Sequence, residues 1–146
     1  MNRRTFALFL VMLASGGRAS AQTPGPGLKA SRREVRRDVI AVIDAQLAAF
    51  RSGDPAEAYQ YAAANLRAHT PPRTFAAIVR ENYPIIWVNT RADYGIVRDD
   101  GTHAAVMVHV HSLPGSASYD YVLIRERGGW RIGSVTRHEI RQRDNV

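Results

Sequence analysis

The chain has 146 residues, no cysteine and a formal charge of +7 at pH 7, with 45% hydrophobic and 8% aromatic residues. Without a thiol there is no disulfide framework, no thiolate metal site and no cysteine to carry a lipid. The length suits one folded domain behind a short leader and leaves no room for a second.

Residues 1–21 have the layout of an export signal. Arg3 and Arg4 form a basic start, residues 5–14 an apolar run, and Ala19-Ser20-Ala21 a small-x-small cleavage site before Gln22. The run FALFLVMLA is only about half the roughly 20 apolar residues that a spanning helix needs, so cleavage is expected and no membrane span should remain. The order Asn2-Arg3-Arg4-Thr5-Phe6 is similar to a twin-arginine signal, with the general secretory route as the alternative. The expected location is therefore periplasmic or secreted. Cleavage removes Arg3, Arg4 and Arg18 and lowers the formal charge from +7 to +4. An exported chain of that charge is not expected to meet nucleic acid.

Residues 22–30, with TPGPGL at their centre, read as a flexible linker. The folded domain is expected over 31–137, with 138–146 as a tail. Ser31 and Glu34 have capping-box spacing for a first helix over 31–54. Val35, Val39, Ile40, Val42, Ile43, Leu47 and Phe50 fall on one arc of that helix. Gly53 suits a left-handed cap, and Asp54-Pro55 with Glu57 opens a second helix over 55–67. Thr70-Pro71-Pro72 ends it and starts a third over 72–82. After Pro84 the hydrophobic period changes to two. Strands are expected over 92–98, 103–112, 118–127 and 130–136, with turns at Asp100-Gly101, Pro114–Ala117 and Gly128-Gly129. This is an α+β order: three N-terminal helices packed on a four-stranded antiparallel meander.

Hairpin pairing sets Asp93, Gly95 and Val97 beside Val108, Val106 and Ala104, and sets Val110 and Val108 against Tyr121 and Leu123. Leu123 and Tyr121 then share a face with Ile132 and Trp130. That face is apolar throughout. The other mixes Tyr94, Ile96, Met107, Val122, Ile124 and Val135 with His103, His109, His111, Asp120, Glu126 and Arg131. Helices in so short a chain cover one side only, so the mixed side is expected to form a homodimer.

The segments VIDAQLAAFRSGD, DPAEAYQYAA and YVLIRERGGWRIGSV together resemble the nuclear-transport-factor-two-like superfamily, which includes ketosteroid isomerases and polyketide cyclases. More narrowly, AQLAAFRSGD, AYQYAAANLR, FAAIVRENYP and the WRI ending are similar to a family of small exported bacterial proteins, a domain of unknown function. The resemblance covers about residues 32–135. It implies a cone-shaped fold with a curved sheet, a pocket under the helices and an outer face that often dimerises. It does not imply an activity, because folds of this kind host enzymes, binders and dimerisation modules alike.

Three constellations could carry chemistry. In the register above Asp93 points into the pocket, where Tyr59, Tyr61, Tyr121 and Trp130 converge. A carboxylate in an aromatic cavity has a raised pKa suited to proton transfer, as in ketosteroid isomerase-like enzymes. The bland alternative has tyrosines in the core and Asp93 at a strand end, and a one-residue slip turns Asp93 outward. His109 and His111 lie roughly 6.5 to 7 Å apart on one strand face, with Asp120 opposite His111, as ligands for Zn²⁺ or Cu²⁺ or as ordinary surface histidines. Lys29, Arg32, Arg33, Arg36 and Arg37 crowd a helix start against its dipole, and read as a solvated face or an anionic-surface contact. No cofactor motif and no Gly-x-Ser-x-Gly elbow is present. The reading is a dimeric, non-enzymatic module for a small apolar ligand or a partner protein. The alternative is an isomerase or cyclase built on Asp93 and a pocket tyrosine.

Overall fold

A computed structural model describes residues 27–139. The expected signal over 1–21, most of the linker and the end of the tail lie outside the described residues. The folded part begins with β1 (Lys29–Ala30), inside the expected linker, and the helices follow: α1 (Arg33–Arg51), α2 (Pro55–Gln60), α3 (Ala64–His69), α4 (Pro72–Asn82) and α5 (Pro84–Trp87). Then come β2 (Asn89–Tyr94), β3 (Arg98–Asp99), β4 (His103–Ser112), β5 (Ser116–Glu126) and β6 (Gly129–Arg137). One antiparallel sheet holds all six strands in the order β1-β3-β4-β5-β6, with β2 also pairing to β4. The class is α+β, with five helices and six strands among the described residues where three and four were expected.

The junction of α1 and α2 is written locally. Gly53 takes φ +70°, the Asp54 amide reaches back to the Ala49 carbonyl at 2.9 Å, and the Asp54 carboxylate accepts from the Glu57 amide at 3.0 Å. The start of α1 is not as expected. Arg32 occupies the cap position without a side-chain bond, and the Ser31 hydroxyl donates to Asp99 instead. The capping box loses to a tertiary partner, because β1 pairs with β3 and carries Ser31 over the β3 end.

The expected second helix breaks in two. Tyr61 to Ala63 leave the helix to pair with β6: the Ile132 amide donates to the Tyr61 carbonyl, and the Ala63 amide to the Ile132 carbonyl, both at 2.8 Å. No proline or glycine marks the break. Two sheet bonds and the burial of Ala62 and Ala63 outweigh the good helix propensity of the alanines. Helix α3 is then capped from a distance, since the Ala64 amide donates to Glu126 at 2.9 Å. Helix α5 is one turn where a change to strand period was read, fixed by Pro84 at its first position and by Trp87 packing on Phe50 at 5.7 Å.

Four departures from the expected pairing set the faces of the sheet. The first turn places Asp100 opposite His103, so the loop is Gly101-Thr102, with φ +92° at Gly101. Arg98 pairs with Ala105 but Tyr94 pairs with Val108, so one extra residue bulges between Tyr94 and Arg98. The bulge turns Tyr94 inward and Asp93 outward, opposite His109 rather than Val108. At the next turn, Ser112 and Gly115 bond to each other and tighten the loop to Leu113-Pro114. Val106 therefore meets Tyr121, and Ala104 meets Leu123. This differs from the expected register by an even step, so the inward faces survive. In β6 a bulge at Gly133 brings both Ile132 and Val135 inside, which moves Val135 off the mixed face. Leu123 pairs with Ile132, and the two share the inner face as expected.

The core lies between this inner face and the helices. Val39, Ile43 and Leu47 of α1 are fully buried against Val108, Val110, Tyr121 and Leu123 of the sheet. Burial of apolar area at about 25 cal/mol per Å² makes this layer the main source of stability.

Candidate functional site

The inner layer is not filled completely. A cavity of about 30 Å³ remains between α1, α3, α4 and the sheet, bordered by Gln46, Phe50, Phe75, Tyr83, Tyr121 and Ile132 among others. That is room for roughly one or two waters, far below the several hundred Å³ usual for a small-molecule site. Gln46 is buried and ties α1 to α2 by donating to the Ala58 carbonyl at 3.1 Å. Tyr121 is 1% exposed and its hydroxyl has no partner among the described residues. Burial, reinforced by Tyr119 and Tyr83, raises its pKa. Tyr83 is pushed up to about 12 by burial and by Tyr119, and its hydroxyl donates to the Val135 carbonyl at 2.9 Å. These phenols stay neutral at ordinary pH.

Of the five residues expected at a pocket, Tyr121 borders the cavity and the others do not. The Tyr59 hydroxyl is shared between the carbonyls of Thr70 at 2.8 Å and Arg67 at 2.9 Å, and its ring packs edge-on to Phe75. Tyr61 is half-buried and reaches Glu57 at 3.5 Å. Trp130 is buried with the Arg125 guanidinium 5.8 Å above its ring, a cation–π contact. Asp93 stands on the opposite face of the sheet. The cavity lining contains no carboxylate, so the expected acid and tyrosine are not brought together there.

On the outer face Asp93 joins a different group. Its carboxylate lies 2.8 Å from Nε2 of His111 and 3.7 Å from the Arg91 guanidinium. The His111 bond, helped by Arg91, lowers its pKa. The His109 ring meets the His111 ring edge-on at 4.7 Å, and its Nδ1 lies 2.8 Å from the Ser118 hydroxyl. Asp120 does not complete this group. It pairs with Met107 rather than His111 and bonds Nδ1 of His138 at 2.9 Å. His111 faces Ser116 instead. Among the described residues no group of three or more His, Cys, Asp or Glu is placed to hold a metal ion. No described helix is long and apolar enough to cross a membrane.

Beside these groups runs the centre of the outer face. Met107 is 44% exposed, and Ala105, Val122 and Ile124 are half-buried beside it, with Ser134 and Arg131 beyond on β6. The helices pack on the other side.

Two polar links between α1 and β2 were not read from the sequence. Tyr94 donates to Asp44, and burial followed by that bond raises its pKa. Asn89 is buried, donates to the carbonyls of Leu47 at 3.0 Å and Ile86 at 2.8 Å, and accepts from Arg51 at 2.6 Å. A polar residue directly after the apolar stretch PIIWV was the available signal for Asn89. For Tyr94 there was none, because its direction depends on the bulge.

A protein-family model described as "Domain of unknown function (DUF4864)" matches residues 32–145. No curated protein and no solved structure matches the chain.

Proposed function

The chain belongs to the family described as domain of unknown function DUF4864, and from that premise we propose that it is a non-enzymatic, exported interaction domain that pairs with a second copy through the outer face of its sheet. The observation that carries this is the band of Met107, Ala105, Val122 and Ile124 on the side of the sheet that faces away from the helices. A sheet face this apolar is ordinarily covered. The charges around the band suit self-pairing. Asp93 and Asp120, with Arg91 beside Asp93, lie toward one end of the strands, and Arg98 and Arg131 toward the other. A twofold axis across the strands brings the two carboxylates of one copy over the two arginines of the other.

The same reading takes the chain as a member of the nuclear-transport-factor-two-like superfamily, supported by helices packed on one side of an antiparallel sheet. The layout of residues 1–21 supports export to the periplasm or beyond. A second reading, small-ligand binding under the helices, is favoured by the unpartnered Tyr121 hydroxyl at the cavity. It requires the cavity to widen, whereas the pairing reading uses the fold as it stands. Sedimentation equilibrium of the purified protein decides between them. A dimer is expected, and a monomer at every concentration reached would remove the pairing reading.

A further inference from the structure

The basic cluster at the start of the domain serves no purpose inside it. Lys29, Arg32, Arg33, Arg36 and Arg37 are all exposed, and Arg98 is exposed on the strand paired with Ala30. Arg37 meets Asp38 at 3.3 Å, with both side chains more than half exposed, so solvent screens the pair. The other five cations make no ion pair among the described residues. Of the nearby acids, Asp99 accepts from Ser31 and the Gly101 amide and Asp100 from Thr102 and the His103 amide, while Glu34 lies exposed within the cluster and offsets one of its charges. Arg32 at the cap and Arg33, Arg36 and Arg37 in the first turns of α1 also oppose its dipole, balanced in part by Glu34 and Asp38, and no side chain caps that end. The arrangement costs helix stability and returns no internal contact, which points to an anionic partner outside the domain.

We infer that this end of the molecule docks on the anionic headgroups of a lipid bilayer. Exposed cations gathered around a helix end fit an extended charged surface. The cluster contains no aromatic side chain on which bases could stack, as single-stranded nucleic acid binders use. A group of about four to eight exposed cations is the arrangement by which polybasic segments hold acidic lipids.

Co-sedimentation of the chain from Gln22 onward, which keeps every described residue, with vesicles of phosphatidylcholine, alone or mixed with phosphatidylglycerol, tests the inference. Charge-independent binding is the same for both lipids, so the difference between them isolates the cluster. Stronger binding to the mixed vesicles is expected, and high salt should remove the excess. Changing Arg32→Gln, Arg33→Gln, Arg36→Gln and Arg37→Gln together should reduce that excess by roughly fivefold per charge at low salt. The four Arg→Lys changes should retain it, and circular dichroism checks that both variants are folded. Equal binding of the wild type to both lipids, or an unchanged excess in the glutamine variant, overturns the inference. So does tighter binding to a DNA duplex than to the mixed vesicles at the same salt.

Discussion

Along β4, Val106, Val108 and Val110 alternate with Met107, His109 and His111, so one strand of ten residues serves two environments. The valines are at most 4% exposed and meet Tyr121, Tyr119 and Ala117 under the helices, while Met107 is 44% exposed. On the inner face every position is fixed by neighbours on both sides. On the outer face, apolar side chains have neighbours only within the sheet, and polar groups bond one another across strands, as in Asp93 with His111 and Asp120 with His138. The inner face therefore holds the fold together, while the outer face is bonded only within the sheet.

Substitutions should separate the two faces. Leu47→Ala opens a hole in the fully buried layer and should cost about 2 to 5 kcal/mol, read as a lower urea midpoint at unchanged m-value. Met107→Glu should leave that midpoint within about 0.5 kcal/mol but weaken self-association at least about tenfold, read by sedimentation. Equal damage by the two changes would erase the distinction between the faces. Tyr121→Phe removes a buried hydroxyl that has no partner, so the variant should be as stable as the wild type or up to about 1 kcal/mol more so. A loss above that amount would mean that the hydroxyl is bonded in solution, and would favour the ligand reading. The smallest effect belongs to the first hairpin. Hydrogen bonds from the His103 and Thr102 amides and the Thr102 hydroxyl lower the Asp100 carboxyl from 3.8 to about 2. Because the folded value lies below the unfolded one, its contribution is full above about pH 4 and is lost as pH falls toward 2. Asp100→Asn should flatten the pH dependence of stability in that window, and an unchanged slope would assign it to other acids.

The same division explains what could be read from the sequence. Gly53-Asp54-Pro55 was legible because its instructions are local: a left-handed glycine, a side-chain cap and a proline at the first helical position. The inward faces of β4 and β5 were legible because alternation survives an even shift of register, even though the turn at Leu113-Pro114 was misread. The bulges were not. Nothing local distinguishes Gly95 or Gly133 from an ordinary strand glycine, and each reverses the side chains beyond it, which moved Asp93 and Tyr94 to opposite faces and Val135 inside. The break at Ala62 was invisible for a related reason, since its cause, Ile132, lies seventy residues further along the chain. The expected place of Asp93 depended on a single strand register, and one bulged residue was enough to move it to the outer face.

Pairing through the outer face is tested most directly by intermolecular NOEs in a mixture of isotope-labelled and unlabelled protein. They should connect the methyl groups of Met107, Val122 and Ile124 across the two copies. A dimer whose intermolecular contacts come instead from Val88 or Leu113, which are also exposed, would contradict it.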